Sequence, residues 1–248
     1  MGKSKSNSEK SKNTALELSE EILNASQDAP MVYDVSLVPM SIRDKKPDHI
    51  NHKIVNQKYY NNFNFSKLAK ANESLNVALG VTSANKGEGK TLVASNMAVS
   101  LAQAYRQRTV LVDLNFKDPQ LHKIFGISLE PGLTEALEKR VLNVNPTSVS
   151  DLFLLSAGNY KNYKPAIKDT IALREILYTL KHEFDFVIAD MSSVFPFEEF
   201  PIHFINEMDG LIAVVDTQKT RKEHLRKIFK HVDEKRFVGY ILNKLQGL

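Results

Sequence analysis

Val77-Ala-Leu-Gly-Val-Thr-Ser-Ala-Asn-Lys-Gly-Glu-Gly-Lys-Thr91 is the stretch on which the fold turns. Its apolar start reads as a short buried strand, its middle as a glycine-containing loop, and Lys90-Thr91 as the opening of a helix. The spacing matches the phosphate-binding P-loop, G-x-x-x-x-G-K-[ST], with Ala84 in place of the first glycine. Gly87 and Gly89 let the backbone turn tightly, so that the N–H groups of the loop Asn85-Lys86-Gly87-Glu88-Gly89 can point at one phosphate without a Cβ intruding. The helix beginning near Lys90 adds its positive end to that anion site. Lys90 is placed to reach the β- and γ-phosphates, and the Thr91 hydroxyl to ligate Mg²⁺. A lysine-capped turn between a strand and a helix is the plainer reading. Strand, loop and helix in the right order favour nucleotide binding over it.

Outward from that stretch, strands and helices alternate from Leu75 to the end, the pattern of a doubly wound, mostly parallel α/β sheet with helices on both faces. Strands are predicted at Thr109–Asp113, Leu152–Leu155, Phe186–Asp190, Leu211–Val215 and Phe237–Leu242, and helices at Thr91–Tyr105, Gly132–Lys139, Thr170–His182 and Arg221–Val232. Ligands of such sheets collect beyond the carboxyl ends of the strands, where the loop at 84–91, Asp113 and Asp190 all fall. An aspartate ending a buried strand commonly caps the next helix. Two of them beside a P-loop point instead to a metal site, with Thr91, Asp113 and Asp190 as the candidate Mg²⁺ shell.

With 248 residues the chain suits one domain and an appendage. Cysteine is absent, which removes disulfides and thiolate metal sites, and the histidines show no zinc-ligand spacing. No apolar run approaches the roughly 20 residues that span a bilayer. The net charge of +4 permits an anionic partner without arguing for one. Residues 1–60 differ from the rest. They open polar and basic, contain a possible amphipathic helix at Thr14–Ala25, and are then broken by Pro30, Pro39 and Pro47, so the expectation is a disordered or loosely docked segment before a domain at 61–248. Tyr59, Tyr60, Phe63 and Phe65 lead into a short helical pattern at Ser66–Glu73; they serve packing or, for the tyrosines, phosphorylation.

The run Thr109-Val-Leu-Val-Asp-Leu-Asn-Phe-Lys-Asp-Pro-Gln-Leu-His-Lys-Ile-Phe-Gly126, followed by Glu130-Pro-Gly-Leu-Thr-Glu-Ala-Leu137, resembles the Walker A′ region of bacterial tyrosine kinases of capsular and exopolysaccharide biosynthesis. The resemblance continues through Leu154–Gly158, Phe184–Asp190, Asp209–Val215, Lys219–Arg221 and Val238–Asn243, so it covers nearly all of 75–245. It places the chain among the P-loop ATPases related to partitioning and division-site ATPases. It implies ATP and Mg²⁺ as cofactors and transfer of the γ-phosphoryl group to tyrosine. Lys90 and Thr91 would bind phosphate and metal, and Asp113 would activate the attacking hydroxyl or assist the metal. Asp190 would sit in the metal shell, and Asn243 would lie where relatives read the adenine. It also implies a cytoplasmic protein recruited to the inner face of the membrane by a membrane-bound adaptor of polysaccharide chain length and export. That adaptor would supply the membrane contact, with self-association and no nucleic acid expected.

Several positions depart from the family pattern. The second Walker A′ aspartate is Asn115, which removes one negative charge from the metal neighbourhood, and the following arginine is Lys117. Met191-Ser-Ser193 stands where Thr-Pro-Pro is usual, and the C-terminal tyrosine cluster is missing, with Tyr240 expected inside a buried strand. Lys86 falls one place after the signature lysine of the partitioning ATPases, so phosphate contact and a solvated loop lysine stand as equal readings. The basic helix with Arg221, Lys222, Arg226, Lys227 and Lys230 reads as a solvated face, ahead of the alternative that it contacts an adaptor's acidic tail or anionic lipid. Two rivals therefore stand beside the kinase: a partitioning-type dimeric ATPase switch, and an ATP-binding pseudokinase scaffold.

Overall fold

Seven consecutive buried residues in Val77–Ser83, and seven more in Gly210–Asp216, can sit only in strands covered on both faces. The computed structural model describes residues 37–44, 47, 49–61, 76–161, 163, 166, 168–195, 202–229 and 236–245. Their strands are β1 (Met40–Ile42), β2 (Val77–Ser83), β3 (Thr109–Leu114), β4 (Leu142–Pro146), β5 (Leu152–Leu155), β6 (Phe186–Met191), β7 (Gly210–Asp216) and β8 (Phe237–Asn243). The helices are α1 (Gln57–Tyr60), α2 (Lys90–Ala104), α3 (Leu121–Ile124), α4 (Leu133–Lys139), α5 (Lys168–Glu183), α6 (Ile202–Ile205) and α7 (Lys222–Phe229).

One eight-stranded sheet results, in the order β1-β4-β5-β3-β6-β2-β7-β8. Neighbours from β5 to β8 are parallel, β4 meets β5 antiparallel, and β1 runs parallel to β4. The P-loop strand β2 lies between β6 and β7, so the chain leaves it in one direction toward β3 and later crosses back to β7. That reversal opens a crevice at the carboxyl end of β2.

The alternating side chains of these strands feed two cores. Ala78, Val110, Val112, Val187 and Ala189 pack with α4 and α5 on one face, and Leu79, Val81, Leu111, Ile188, Ile212 and Val214 pack with α2 on the other. Helix α2 buries most of its length, including Ser95, Asn96 and Ser100, because small residues there allow close approach to the sheet. The segment before β2 touches both cores: Val38 joins the first and Val55 the second. Asn96 ties it down by donating to Ile54 O at 2.8 Å and accepting from Asn56 N at 3.1 Å.

All five strands and four helices expected after β2 are present, with ends shifted by at most two residues. The exception is the last helix, whose described part ends at Phe229. Strands β1 and β4 were not expected; each is short, and Asn143, Asn145 and Pro146 interrupt the apolar pattern of β4. Tyr240, expected to be buried, is 37% exposed because β8 is the edge strand, and its ring packs edge-on against Phe237. The helical patterns at 14–25 and 66–73 lie outside the described residues.

The turn before α4 is closed by the strand-end loop after β5. Leu133 N donates to Ser156 O, Thr134 N to Ala157 O, and the Glu135 carboxylate accepts from Gly132 N and Asn159 N. A Cβ on Gly132 would come within 2.4 Å of both Ser156 O and Gly158 N. Gly132→Ala should therefore cost on the order of 2–3 kcal/mol in urea unfolding, since backbone on both sides must shift; a loss below about 0.5 kcal/mol would contradict this packing.

Candidate functional site

The loop between β2 and α2 owes its shape to two left-handed glycines, Gly87 at φ +84° and Gly89 at φ +99°. Gly89 also caps α2, and any Cβ there would collide with the Asn243 side-chain amide. Lys90 is only 8% exposed, so its ammonium is drawn in toward the strand ends. One residue on, Thr91 Oγ1 donates to Asp190 Oδ2 at 2.7 Å.

Asp113 and Asp190 are direct register partners in β3 and β6, so their side chains leave the sheet together, and both are fully buried. Burial raises the Asp190 carboxyl to about 6, against the pull of Lys90 and the Thr91 hydrogen bond. Asp113 is held well above the usual carboxylate range, first by burial and then by the Asp190 charge. Its oxygens accept from Asn115 N at 3.1 Å and from Leu121 N at 3.2 Å, the latter at the first residue of α3. Asp113 thus performs the capping task as well as lining the site. Asp190 differs: its Oδ1 is buried and has no hydrogen-bond partner among the described residues.

That orphaned oxygen fits a hard divalent cation. The Thr91 hydroxyl and the Asp190 carboxylate supply the oxygen ligands Mg²⁺ prefers, at the start of a helix that favours phosphate. Asn115 is neutral and committed elsewhere, accepting from Ser192 Oγ at 3.2 Å and donating to Asp118 O at 3.0 Å. The candidate metal neighbourhood therefore carries two carboxylates, and two of the departures from the family pattern, Asn115 and Ser192, hydrogen-bond to each other.

Lys86 lies 2.9 Å from Asp118 Oδ2 and is 78% exposed, which places it as a solvent-facing loop lysine in an ion pair. Such a pair contributes at most about 1 kcal/mol, though it holds the Asp118 carboxyl below its ordinary range. Glu88 is almost fully buried and accepts from Asn85 N, Asn85 Nδ2 and Thr220 Oγ1 at 3.0, 2.9 and 2.6 Å. These donors satisfy its carboxylate within the loop and at Thr220. Asn243 Nδ2 donates to Glu88 O at 2.9 Å. Three residues given no role in the sequence reading complete the surroundings: Thr220, Asp216 and Lys244, whose Nζ reaches Gly87 O at 2.9 Å and Asp216 Oδ2 at 2.7 Å. Their sequence signal is position: Asp216 ends β7, Thr220 falls in the block Lys219–Arg221 beyond it, and Lys244 follows β8. A pocket of about 320 Å³ opens between the loop at Asn85–Glu88 and Asp216, Lys219, Arg221 and His224.

No protein-family model matches the chain. It is 28% identical over 173 residues to the tyrosine-protein kinase CpsD of Streptococcus pneumoniae serotype 4, a match covering 67% of this chain and 75% of that one. Among solved structures, the kinase domain of VpsO is 26% identical with a TM-score of 0.58, covering 73% of this chain and 92% of that domain. The septum site-determining protein MinD of Pyrococcus horikoshii, solved with Mg-ADP, shares the fold at 18% identity and a TM-score of 0.51, covering 67% of this chain and 69% of that one.

The raised Asp190 value sets a pH dependence. The native state keeps a proton that the unfolded chain has already lost, so this group costs stability as the pH rises from about 4 to about 6, and the full cost stands above that window. In metal-free buffer, Asp190→Asn should be more stable than wild type to urea at pH 8 by on the order of 2–3 kcal/mol. The gap should close near pH 4. An equal gap at both pH values would contradict the buried, unpaired charge.

Proposed function

We propose that this chain, a relative of the bacterial tyrosine-protein kinases within the P-loop ATPases of the partitioning and division-site type, binds Mg·ATP at 84–91 and transfers its γ-phosphoryl group to tyrosine. The observation that carries the reading is the Thr91–Asp190 hydrogen bond with the unpartnered Asp190 Oδ1 beside it, at the start of the phosphate-loop helix. The relative CpsD is named as a tyrosine-protein kinase, and the match to it covers 67% of this chain.

Mg²⁺ held by Thr91 and Asp190 would neutralise the charge of the β- and γ-phosphates. Lys90 would add a second positive group from within the loop, and the amides of Gly87 to Thr91 would fix the phosphate oxygens. Asp113, whose carboxyl burial holds above its ordinary range, is suited to accept the tyrosyl proton as the phenolic oxygen bonds to phosphorus and the bond to the leaving ADP oxygen breaks. Asp113 and Asp190 together would exclude a second anion unless a cation sits between, which ties catalysis to the metal.

The setting we infer is the cytoplasmic face of the membrane, beside a membrane-bound adaptor that governs polysaccharide chain length or export, with copies of the chain associating. Among the described residues no helix is long and apolar enough to cross a membrane; in this reading the partner supplies the membrane contact. A second reading, an ATP-binding switch or scaffold without transfer, draws on Asn115, which leaves the metal neighbourhood one charge short, and on the two amides that already occupy Asp113.

Purified protein incubated with Mg·ATP decides between these readings. The kinase should form phosphotyrosine, mapped by mass spectrometry, on itself or on an added tyrosine polymer, with exposed Tyr59 a candidate acceptor. Lys90→Met and Asp113→Ala should each lower turnover by about 100-fold or more. ADP release without phosphotyrosine would favour the switch, and full activity in both variants would overturn the site assignment.

A further inference from the structure

A phosphate loop works only if its N–H groups face inward, and in a planar trans peptide the C=O of one residue and the N–H of the next point to opposite sides. Two consecutive carbonyls of this loop are gripped from the end of β8. Lys244 Nζ donates to Gly87 O at 2.9 Å, and Asn243 Nδ2 donates to Glu88 O at 2.9 Å. Each grip turns the following amide, that of Glu88 or Gly89, the other way. Among the described residues no hydrogen bond occupies either amide, so both remain available to an anion.

Lys244 is itself firmly anchored. Its ammonium lies 2.7 Å from Asp216 Oδ2, a carboxylate whose side chain is fully buried and which it holds below the usual range. Asp216 is fixed in turn: its N–H donates to Thr220 Oγ1, its Oδ1 accepts from Gln218 N, and Thr220 Oγ1 donates to Glu88. Lys244 also adopts φ +57°, a left-handed conformation that costs a non-glycine residue on the order of 1 kcal/mol. The strain aims its side chain back across the loop rather than along the edge strand.

We propose that Lys244 is a positioning residue for phosphate binding: anchored on Asp216, it holds the Gly87 carbonyl outward and so keeps the loop amides aimed at the β-phosphate of a nucleoside diphosphate or triphosphate. This rests on the Mg·ATP reading above. The ligand class it favours is defined by the phosphates. Removing the lysine should therefore penalise ADP and leave AMP, which lacks the β-phosphate, little changed. A loss of general fold stability would weaken both.

Three variants of the full chain test it: Lys244→Met, Lys244→Arg, and Asp216→Asn combined with Lys244→Met, which removes the buried charge that the single change would strand. Calorimetry of Mg·ADP against AMP should show ADP weakened about 10-fold or more and AMP by less than about 2-fold in the Met variants, with Arg recovering most of the loss. Independently of any ligand, ¹⁵N-glycine spectra of the nucleotide-free protein, which has 10 glycines, should show the Gly87 and Gly89 signals displaced in the Met variants and restored in Arg. If Lys244→Met does not fold, the double variant decides. Unchanged ADP affinity and unchanged glycine signals in it would overturn the proposal. Wild-type protein that takes up no Mg·ADP would sink the nucleotide reading, and the glycine spectra alone would then judge the clasp.

Discussion

Two carboxylates on adjacent strands, both cut off from water, dominate the physics of this protein. Asp113 and Asp190 face each other across β3 and β6; burial pushes both above their ordinary range, and the Asp190 charge raises Asp113 further. Such a pair costs the fold stability unless a cation or a proton joins it. Lys90 helps, and two backbone amides take up Asp113, but Asp190 Oδ1 stays without a partner. The strain is local and sits where the sheet's reversal of strand order opens a crevice, which is where a doubly wound sheet places its ligand. A fold that carries this cost at that place suits the anion and divalent metal proposed for it.

The remainder of the architecture holds the phosphate loop rigid over that pair. Helix α2 is packed along most of its length against the sheet, which fixes Lys90 and Thr91. From the other side, the ends of β7 and β8 supply Asp216, Asn243 and Lys244, while Thr220 donates to the buried Glu88 carboxylate. Glu88 shows how an acidic residue can sit inside an anion-binding loop: its charge is consumed by Asn85 and Thr220. Asn243, placed by resemblance at the adenine, has its side-chain amide and carbonyl oxygen engaged within the loop and by Lys244 N.

What could be read from sequence was what local pattern encodes. The β2–loop–α2 unit, the continuous apolar runs of β3, β6 and β7, and the aspartates at the ends of β3 and β6 are all set by neighbours in the chain. The edges were harder. β4 has asparagines and a proline within five residues, and β1 has three residues in all, so neither carries a period to detect. Tyr240 reads as a strand residue, and only the strand order reveals that its strand is an edge. The clasp around the loop joins residues 132, 155 and 157 positions apart in Thr220–Glu88, Asn243–Glu88 and Lys244–Gly87. No window of sequence holds both partners. Lys86 was open between phosphate and solvent, and the deciding feature, Asp118, lies beyond β3.

The central claim is that adenine nucleotide and a divalent ion are held together by the phosphate loop, Thr91 and Asp190. Its most direct test is a Mn²⁺ titration of the wild-type protein followed by electron paramagnetic resonance, with and without ADP. The account predicts that the protein immobilises about one Mn²⁺ per chain when ADP is present and little when it is absent, because the protein alone offers few ligands and the phosphates complete the shell. ADP that leaves the Mn²⁺ signal as it is with ADP in buffer would contradict it.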